Sequence, residues 1–490
     1  MTVIKYRFRL VVFLLVSHAF AAWAEEGQTL SSRNFDHHIR AEPLVSESEN
    51  ALLEKAYVWG WPMVYLHNVK KSLQLLQVPG ISGGAPVAPI NRLSMLTQPV
   101  GDGFVTVPCP NPDVVYGFGL LDLTEQPVVV QIPDAGSRYW MFQLGDHRTD
   151  SFAKIGSMYG TQPGFHLVVG PDWEGSIPEG ISQVWRSPTN LAFVIPRYLA
   201  VEDLESLRET ISKVAVYPLS RFNHKWKKQD WSKPKWYPAI GRSNRQQSKS
   251  VRPETFFKDL KEVLAHVPPL PGEECFYQEL KSVLTEQDQD YQYFLSEKGL
   301  ECEARLMEPL FDFHRMGKSS QTGWTSVSNG ACFGTDYLSR AAVAKSNIFV
   351  NRPNEAKYFY LEVDDDGRWL VGRESYHLKF RPEALPAHQG FWSLTVYDGD
   401  HRLVGQTRAA SSINSSSDTL KRLEDGSVEI MIQRARPTEP NTNWLPTPEG
   451  RFVLYLRVYT PDESVVRGHW TPPAAVNVWT PAVKLVSLSN

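Results

Sequence analysis

Residues 111–150, NPDVVYGFGLLDLTEQPVVVQIPDAGSRYWMFQLGDHRTD, decide how this chain reads. Segments 114–123, 128–132 and 139–144 are rich in β-branched and aromatic residues. Pro, Gly and Asp punctuate them, so three strands joined by turns are expected. Working outward, the same pattern predicts strands at 104–107, 165–169 and 191–195. Val201, Leu204, Leu207, Ile211 and Val214 then repeat at helical spacing, a surface helix closing a first domain. Upstream, Ser46-x-x-Glu49 is a capping-box pattern. Leu52, Ala56, Trp59, Met63 and Leu66 follow on one helical face, which Pro62 is expected to kink.

With 490 residues the chain calls for two or three domains. An aromatic content of 12%, 15 Trp and 35 Pro suit a turn-rich β protein better than a helical bundle. A net charge of −3 gives no global reason to expect nucleic acid or an anionic membrane as partner. Lys5, Arg7 and Arg9, the apolar run 10–16 and Ala22-Trp23-Ala24 read as a signal peptide over residues 1–24, cleaved before Glu25. The apolar run is too short to span a bilayer, which takes about 20 residues. A periplasmic or secreted address is therefore expected, with a polar leader at 25–45. In that compartment Cys109, Cys275, Cys302 and Cys332 allow three disulfide pairings, or four free thiols. Without a CxxC no zinc site is expected, and no other metal or cofactor is assigned.

The middle of the chain changes character. Residues 221–252 carry ten Lys or Arg against one acid, with Trp226, Trp231, Trp236 and Tyr237 interleaved. Such a stretch can track a polyanion, or serve as a linker whose Trp residues clamp the flanking domains. Helices are expected at 253–266, 273–285 and 288–315, then strands at 358–363, 376–380, 391–397, 428–433 and 452–459. Asp364-Asp365-Asp366-Gly367 lacks the spacing of a calcium loop and reads as a hairpin turn. Residues 139–146 and 391–398 share one pattern: aromatic, Trp, x, apolar, x, apolar, x, Asp. On a strand the Trp, the two apolar residues and the Asp share a face. The expected fold is mainly β with helical insertions (α+β): two jelly-roll-like antiparallel β-sandwiches at 46–220 and 336–490, joined by the basic and helical region 221–335.

NPDVVYGFGLLDL, PVVVQIPDAGSRYW, FHLVVGPDWEG and SPTN resemble the bacterial domain of unknown function 1254. PNEAKYFYLEVDDDG, FWSLTVYD, DGS, NWLPTPEGRFVLYLRVY and HWTPP are similar to domain of unknown function 1214. The two usually occur together in this order, and the resemblance implies paired jelly-roll-like sandwiches but no reaction. The first motif of that family commonly reads Asn-x-Asp-Thr-Leu-Tyr, whereas Val114 and Val115 stand here in place of Thr-Leu.

Chemistry-bearing residues gather in the opening stretch. Asp113, Tyr116, Asp146 and His147 are candidates for acid/base catalysis, with Asn111 and Asp150 as ligand-binding neighbours. The alternative is that Asp and Asn at strand ends bond turn backbone. No Gly-x-Ser-x-Gly elbow, phosphate loop or dinucleotide fingerprint occurs. Three function classes stay open: an exported protein binding a sugar or other organic ligand at the mouth of the first sandwich, a hydrolase using the carboxylate/His/Tyr set, and a polyanion-binding module.

Overall fold

The computed structural model describes residues 49–478, except 102, 201–202, 240–244, 246–249, 286–287, 406–410 and 440. The expected signal peptide, the leader and Ser46 lie outside the described residues.

Helix α1 (Glu49–Leu73) runs unbroken through Pro62, and fifteen of its 25 residues are buried, more than a one-sided stripe supplies. A helix apolar all round belongs inside a protein. The chain wraps it accordingly. After the short strands β1 (Gly80–Ser82), β2 (Ala85–Val87) and β3 (Ser94–Met95) come β4 (Val114–Asp122), β5 (Val128–Ile132), β6 (Trp140–Asp146), β7 (Gly164–Val169), β8 (Ile181–Arg186) and β9 (Leu191–Leu199). Helix α2 (Leu204–Ser212), β10 (Ala215–Pro218) and β11 (Lys235–Tyr237) follow. The middle supplies α3 (Phe256–Leu264), α4 (Glu274–Val283), α5 (Gln289–Cys302), β12 (Lys318–Ser319), β13 (Thr325–Ser326) and α6 (Tyr337–Asn347). The last part holds β14 (Ala356–Leu361), β15 (Tyr376–Phe380), β16 (Trp392–Asp398), β17 (Ser412–Asn414), β18 (Val428–Ile432), β19 (Asn443–Leu445), β20 (Phe452–Tyr459), α7 (Glu463–Val466) and β21 (Val476–Asn477).

The fold is mixed α and β with mostly antiparallel sheets. Sheets ordered β3-β4-β9-β6 and β10-β5-β7-β8 form the N-terminal half, with β11-β1-β2 beside them. Trp140, Phe142 and Leu144 of β6 join Val128, Val130 and Ile132 of β5 in one continuous core that also takes in α1. The C-terminal half has sheets β12-β13-β14-β20-β16-β17 and β19-β18-β15-β21. Their facing residues, among them Trp392, Leu394 and Val396 against Leu378, Phe380 and Ile430, make a second core.

Several expectations are corrected. The pairs β1–β11, β7–β8 and β18–β19 are parallel, so the sheets are not purely antiparallel. Residues 104–107 form no strand, because Pro108 and Pro110 lack donors and Cys109 sits at φ 53°. Strand β9 continues past Pro196 to Leu199; the β4–β9 ladder skips the Gly117–Pro196 and Phe118–Ile195 positions and resumes at Tyr116–Arg197. A Cβ on Gly117 would lie 3.2 Å from Pro196 Cδ and 2.2 Å from Met95 Sδ, so only glycine fits there. The helix expected through residue 315 stops at Cys302 and becomes a π turn over Glu303–Met307. That turn aims buried Glu303 at α1, where its carboxylate accepts from Tyr57 OH (2.8 Å), Trp61 Nε1 (3.0 Å) and Lys345 Nζ of α6 (2.6 Å). All four cysteines are free.

The two halves hold each other by reciprocal latches. In one, the segment before β4 docks on the C-terminal sheet. Cys109 N–H donates to His401 O (2.9 Å), Cys109 O accepts from Arg457 Nη2 (2.7 Å), and Asn111 Nδ2 donates to Tyr459 OH (2.7 Å). The Asp113 carboxylate, fully buried, accepts from Ser393 Oγ (2.6 Å), Ser412 Oγ (2.5 Å) and Asn414 Nδ2 (2.6 Å). In the other, the segment before β14 docks on the N-terminal sheet. Phe349 O accepts from Arg197 Nη2 (2.7 Å), and Asn351 Nδ2 donates to Met141 Sδ (2.6 Å). Each segment folds alike: Asn111 N–H donates to Tyr116 OH (3.0 Å), and Asn351 N–H to Tyr358 OH (2.8 Å). Asp113→Ala strands three buried donors and is expected to destabilise by about 3–5 kcal/mol. Denaturant unfolding followed by intrinsic fluorescence checks this, with the C-terminal half loosening first.

Candidate functional site

The six residues singled out from sequence fall into two separate networks. Asn111, Asp113 and Tyr116 build the first latch. Asp146, His147 and Asp150 lie at the turn after β6. Asp146 Oδ1 accepts from the backbone N–H of Arg148 (2.9 Å) and Asp150 (3.0 Å). The same turn recurs at Asp398, which accepts from Asp400 and Arg402 N–H (2.9 Å each). A third copy follows β14, where Asp364 accepts from Asp366 (3.0 Å) and Arg368 (2.9 Å). A carboxylate that serves backbone in three turns of one molecule is engaged as a turn former. Asp150 in turn accepts from Phe333 N–H (2.7 Å), Gly334 N–H (3.1 Å) and Arg340 Nη2 (2.8 Å), tying α6 to the first half.

His147 is buried, with Nε2 2.9 Å from Met63 O of α1 and its backbone N–H on Thr189 Oγ1 (2.9 Å). The carbonyl can only accept, so Nε2 carries the proton and the ring is neutral. Nδ1 has no partner among the described residues. Burial, with the nearby cations, pulls this imidazole down to about 3, while burial and the Asp150 charge push Asp146 up to about 6. Below the ordinary His value near 6.5 the unfolded chain therefore binds a proton that the native state refuses, and stability is lost as pH falls towards 3. Asp146 acts in the opposite sense, gaining stability as pH falls from about 6 to its ordinary 3.8. His147→Gln, which keeps a donor for Met63 O, is expected to gain on the parent chain by up to about 1.4 kcal/mol per pH unit below 6.5. Unfolding free energies of the two chains between pH 7 and pH 4 check the slope.

A cavity of about 110 Å³ lies between α1, the N-terminal sheet and the end of α6. Its walls are Tyr65, Val69 and Leu73 of α1, residues 85–87 of β2, residues 104 and 106–110, Tyr116 and Phe118 of β4, Ile195 and Arg197 of β9, and residues 347–349. Tyr116 is the one member of the sequence-derived set that reaches it. The wall is mostly apolar, and Arg197 is its one charged side chain among the described residues. Most lining polar groups are engaged: Ser72 Oγ on Asn68 O (3.0 Å), Thr106 Oγ1 on Gly83 O (3.0 Å), and Asn347 Nδ2 on Tyr455 OH. Arg197 Nη1 and Tyr65 OH have no partner among the described residues. Burial holds the Tyr65 phenol and the Cys109 thiol well above their usual ranges, so Tyr65 stays a donor and Cys109 is no nucleophile.

Sequence reading missed Arg197 because Pro196 ended the predicted strand at residue 195, four residues short of Leu199; a lone cation within LAFVIPRYL was the signal available. No group of three or more His, Cys, Asp or Glu suited to a metal occurs among the described residues. No helix of the described residues is long and apolar enough to cross a membrane. In the basic stretch, Trp231 Nε1 donates to Ile211 O (2.9 Å) and Trp226 packs 5.2 Å from Phe165, whereas Trp236 is 70% exposed.

Residues 90–218 match the family described as Protein of unknown function (DUF1254), and residues 355–463 match Protein of unknown function (DUF1214). No curated protein matches the chain. The crystal structure of the VPA0106 protein from Vibrio parahaemolyticus is similar over 88% of this chain and 100% of that one, at 21% identity and a TM-score of 0.59. That likeness concerns the fold alone. A putative uncharacterized protein from Burkholderia cenocepacia aligns over 84% of this chain and 86% of that one, at 11% identity and a TM-score of 0.43. The chain is thus a two-domain protein, DUF1254 at its N-terminal side and DUF1214 at its C-terminal side.

Proposed function

We propose that this is an exported, periplasmic or secreted protein of two jelly-roll-like sandwiches that binds a small organic molecule in the cavity between α1, the first sandwich and the end of α6. One observation carries the reading: a partly open, mostly apolar cavity where the first domain meets α1 and the end of α6, with two polar groups of its lining residues lacking partners among the described residues. Ligand sites combine apolar walls with a few placed polar groups. The apolar wall favours an organic ligand of low polarity over a sugar, which needs many side-chain donors and acceptors. The hydrolase reading has less support, since the carboxylates of Asp113, Asp146 and Asp150 are each taken up by internal hydrogen bonds.

Export rests on the N-terminal pattern, and N-terminal sequencing of protein recovered outside the cytoplasm is expected to begin at Glu25. A start at Met1 would remove the export reading. For the cavity, small apolar probes at a hundred times their Kd are expected to raise the melting temperature by about 2–5 °C. Val87→Phe, which fills the cavity from β2, is expected to abolish that rise while the protein stays folded by circular dichroism. A rise that survives the filled cavity would place binding elsewhere.

A further inference from the structure

The two latches provide an internal comparison. The shared pattern of β6 and β16 aligns Met141 with Ser393, and these pair with Arg197 on β9 and Arg457 on β20. Arg197 and Arg457 therefore occupy the same place in the two halves, and each receives a backbone carbonyl of the opposite latch. Arg457 is saturated beyond that. Its Nη2 also reaches Tyr397 OH (2.9 Å) and its Nη1 reaches Thr395 Oγ1 (3.4 Å). It further stacks 3.6 Å from the centre of the Tyr455 ring. Arg197 has only Phe349 O on Nη2 and, at 5.8 Å, the face of Tyr116. Its Nη1 has no partner, although the side chain is 5% exposed.

A buried guanidinium without an acid is costly, and the expectation is that something pairs with it. No ion pair to Arg197 occurs among the described residues. The acid that influences it at longer range, Glu355, is engaged by Tyr159 OH (2.8 Å) and Arg352 N–H (3.1 Å). The unpaired cation lines the cavity, and no other charged side chain lines it among the described residues.

We propose that the cavity takes a compact, apolar monocarboxylic acid whose carboxylate pairs with the Arg197 guanidinium. This rests on reading the cavity as a ligand site. A monoanion fits because one arginine neutralises it, whereas a phosphate ester would bring a second charge with no cation to meet it. Guanidinium is suited to the task, since two parallel N–H groups can grip one carboxylate. Tyr65 OH, a protonated donor, supplies a further hydrogen bond, and the phenol of Tyr116 keeps a proton to donate while accepting from Asn111 N–H. Size limits the tail. A dry apolar cavity of about 150 Å³ accepts a benzene ring. The smaller volume here, about 110 Å³, suits a short or branched chain, or a ring partly in the mouth.

The test uses the full chain and matched probes: isovalerate, hexanoate and benzoate against isovaleramide, hexanamide and benzamide, titrated by calorimetry. At least one acid is expected to bind about tenfold to a hundredfold more tightly than its amide, the worth of a charge-assisted hydrogen bond. Arg197→Met is expected to erase that difference while leaving amide binding in place. Arg197→Lys, which keeps the charge but not the fork, retains part of it and serves if the Met variant does not fold. Acids and amides binding alike, or a preference that survives Arg197→Met, would overturn the carboxylate proposal and leave the cavity reading standing. No binding by any probe, with Val87→Phe indistinguishable from the parent chain, would overturn both.

Discussion

The structure depends on a carboxylate delivered across a domain boundary. Asp113 leaves its own half and accepts three side-chain hydrogen bonds from the other. An acid side chain removed from water is tolerable only when its oxygens are hydrogen-bonded, and here Ser393, Ser412 and Asn414 supply the donors. The mirror latch obeys the same constraint. Glu355 lies three residues before Tyr358, as Asp113 lies three before Tyr116, and it too is buried, meeting Tyr159 of the first half. Each half thus completes the polar inventory of the other, and neither sheet has its donors satisfied alone. The aromatic patch between them, Tyr139, Phe391 and Tyr459 with ring centres 4.3–5.4 Å apart, adds apolar burial to the same seam.

That arrangement explains what could and could not be read from the chain. Strands 128–132, 376–380 and 452–459 coincide with their predicted bounds because runs of β-branched and aromatic residues end at Pro, Gly or Asp. The echo of 139–146 in 391–398 is real in the fold: both strands pair antiparallel with a long partner and both end in an Asp-centred turn. What was illegible is non-local. The donors to Asp113 lie 280, 299 and 301 residues away, so nothing near Asp113 announces them. Helix α6 was missed because it is buried on most sides and carries Arg340 and Lys345 inward, which blurs any one-sided stripe. Parallel pairing at sheet edges leaves no mark in short apolar runs.

Burial around α1 shows how the middle of the chain is recruited. A helix carrying Tyr57, Trp59 and Trp61 needs acceptors for their polar hydrogens inside the core. Glu303 serves Tyr57 and Trp61, and Glu273 serves Trp59 (3.1 Å) and Tyr337 OH (2.7 Å). Lys345 of α6 balances the Glu303 charge at 2.6 Å. The helices between the two sheet systems are thus the scaffold that lets α1 be buried, and α1 provides one wall of the cavity.

The cavity follows from an asymmetry between two otherwise equivalent places. On the C-terminal sheet, Arg457 is engaged by Tyr397, the Tyr455 ring and the carbonyl of Cys109. On the N-terminal sheet the ladder is interrupted at Pro196, Gly117 lacks a side chain, and the latch carbonyl of Phe349 satisfies only one nitrogen of Arg197. The gap lies where both latches pass: residues 107–110 of one and 347–349 of the other form its walls. Gly117 adds no side chain to the wall, and β3 and Pro196 crowd the place where its Cβ would lie. The constraint that closes the two halves on each other therefore also leaves a space beside one of its two arginines.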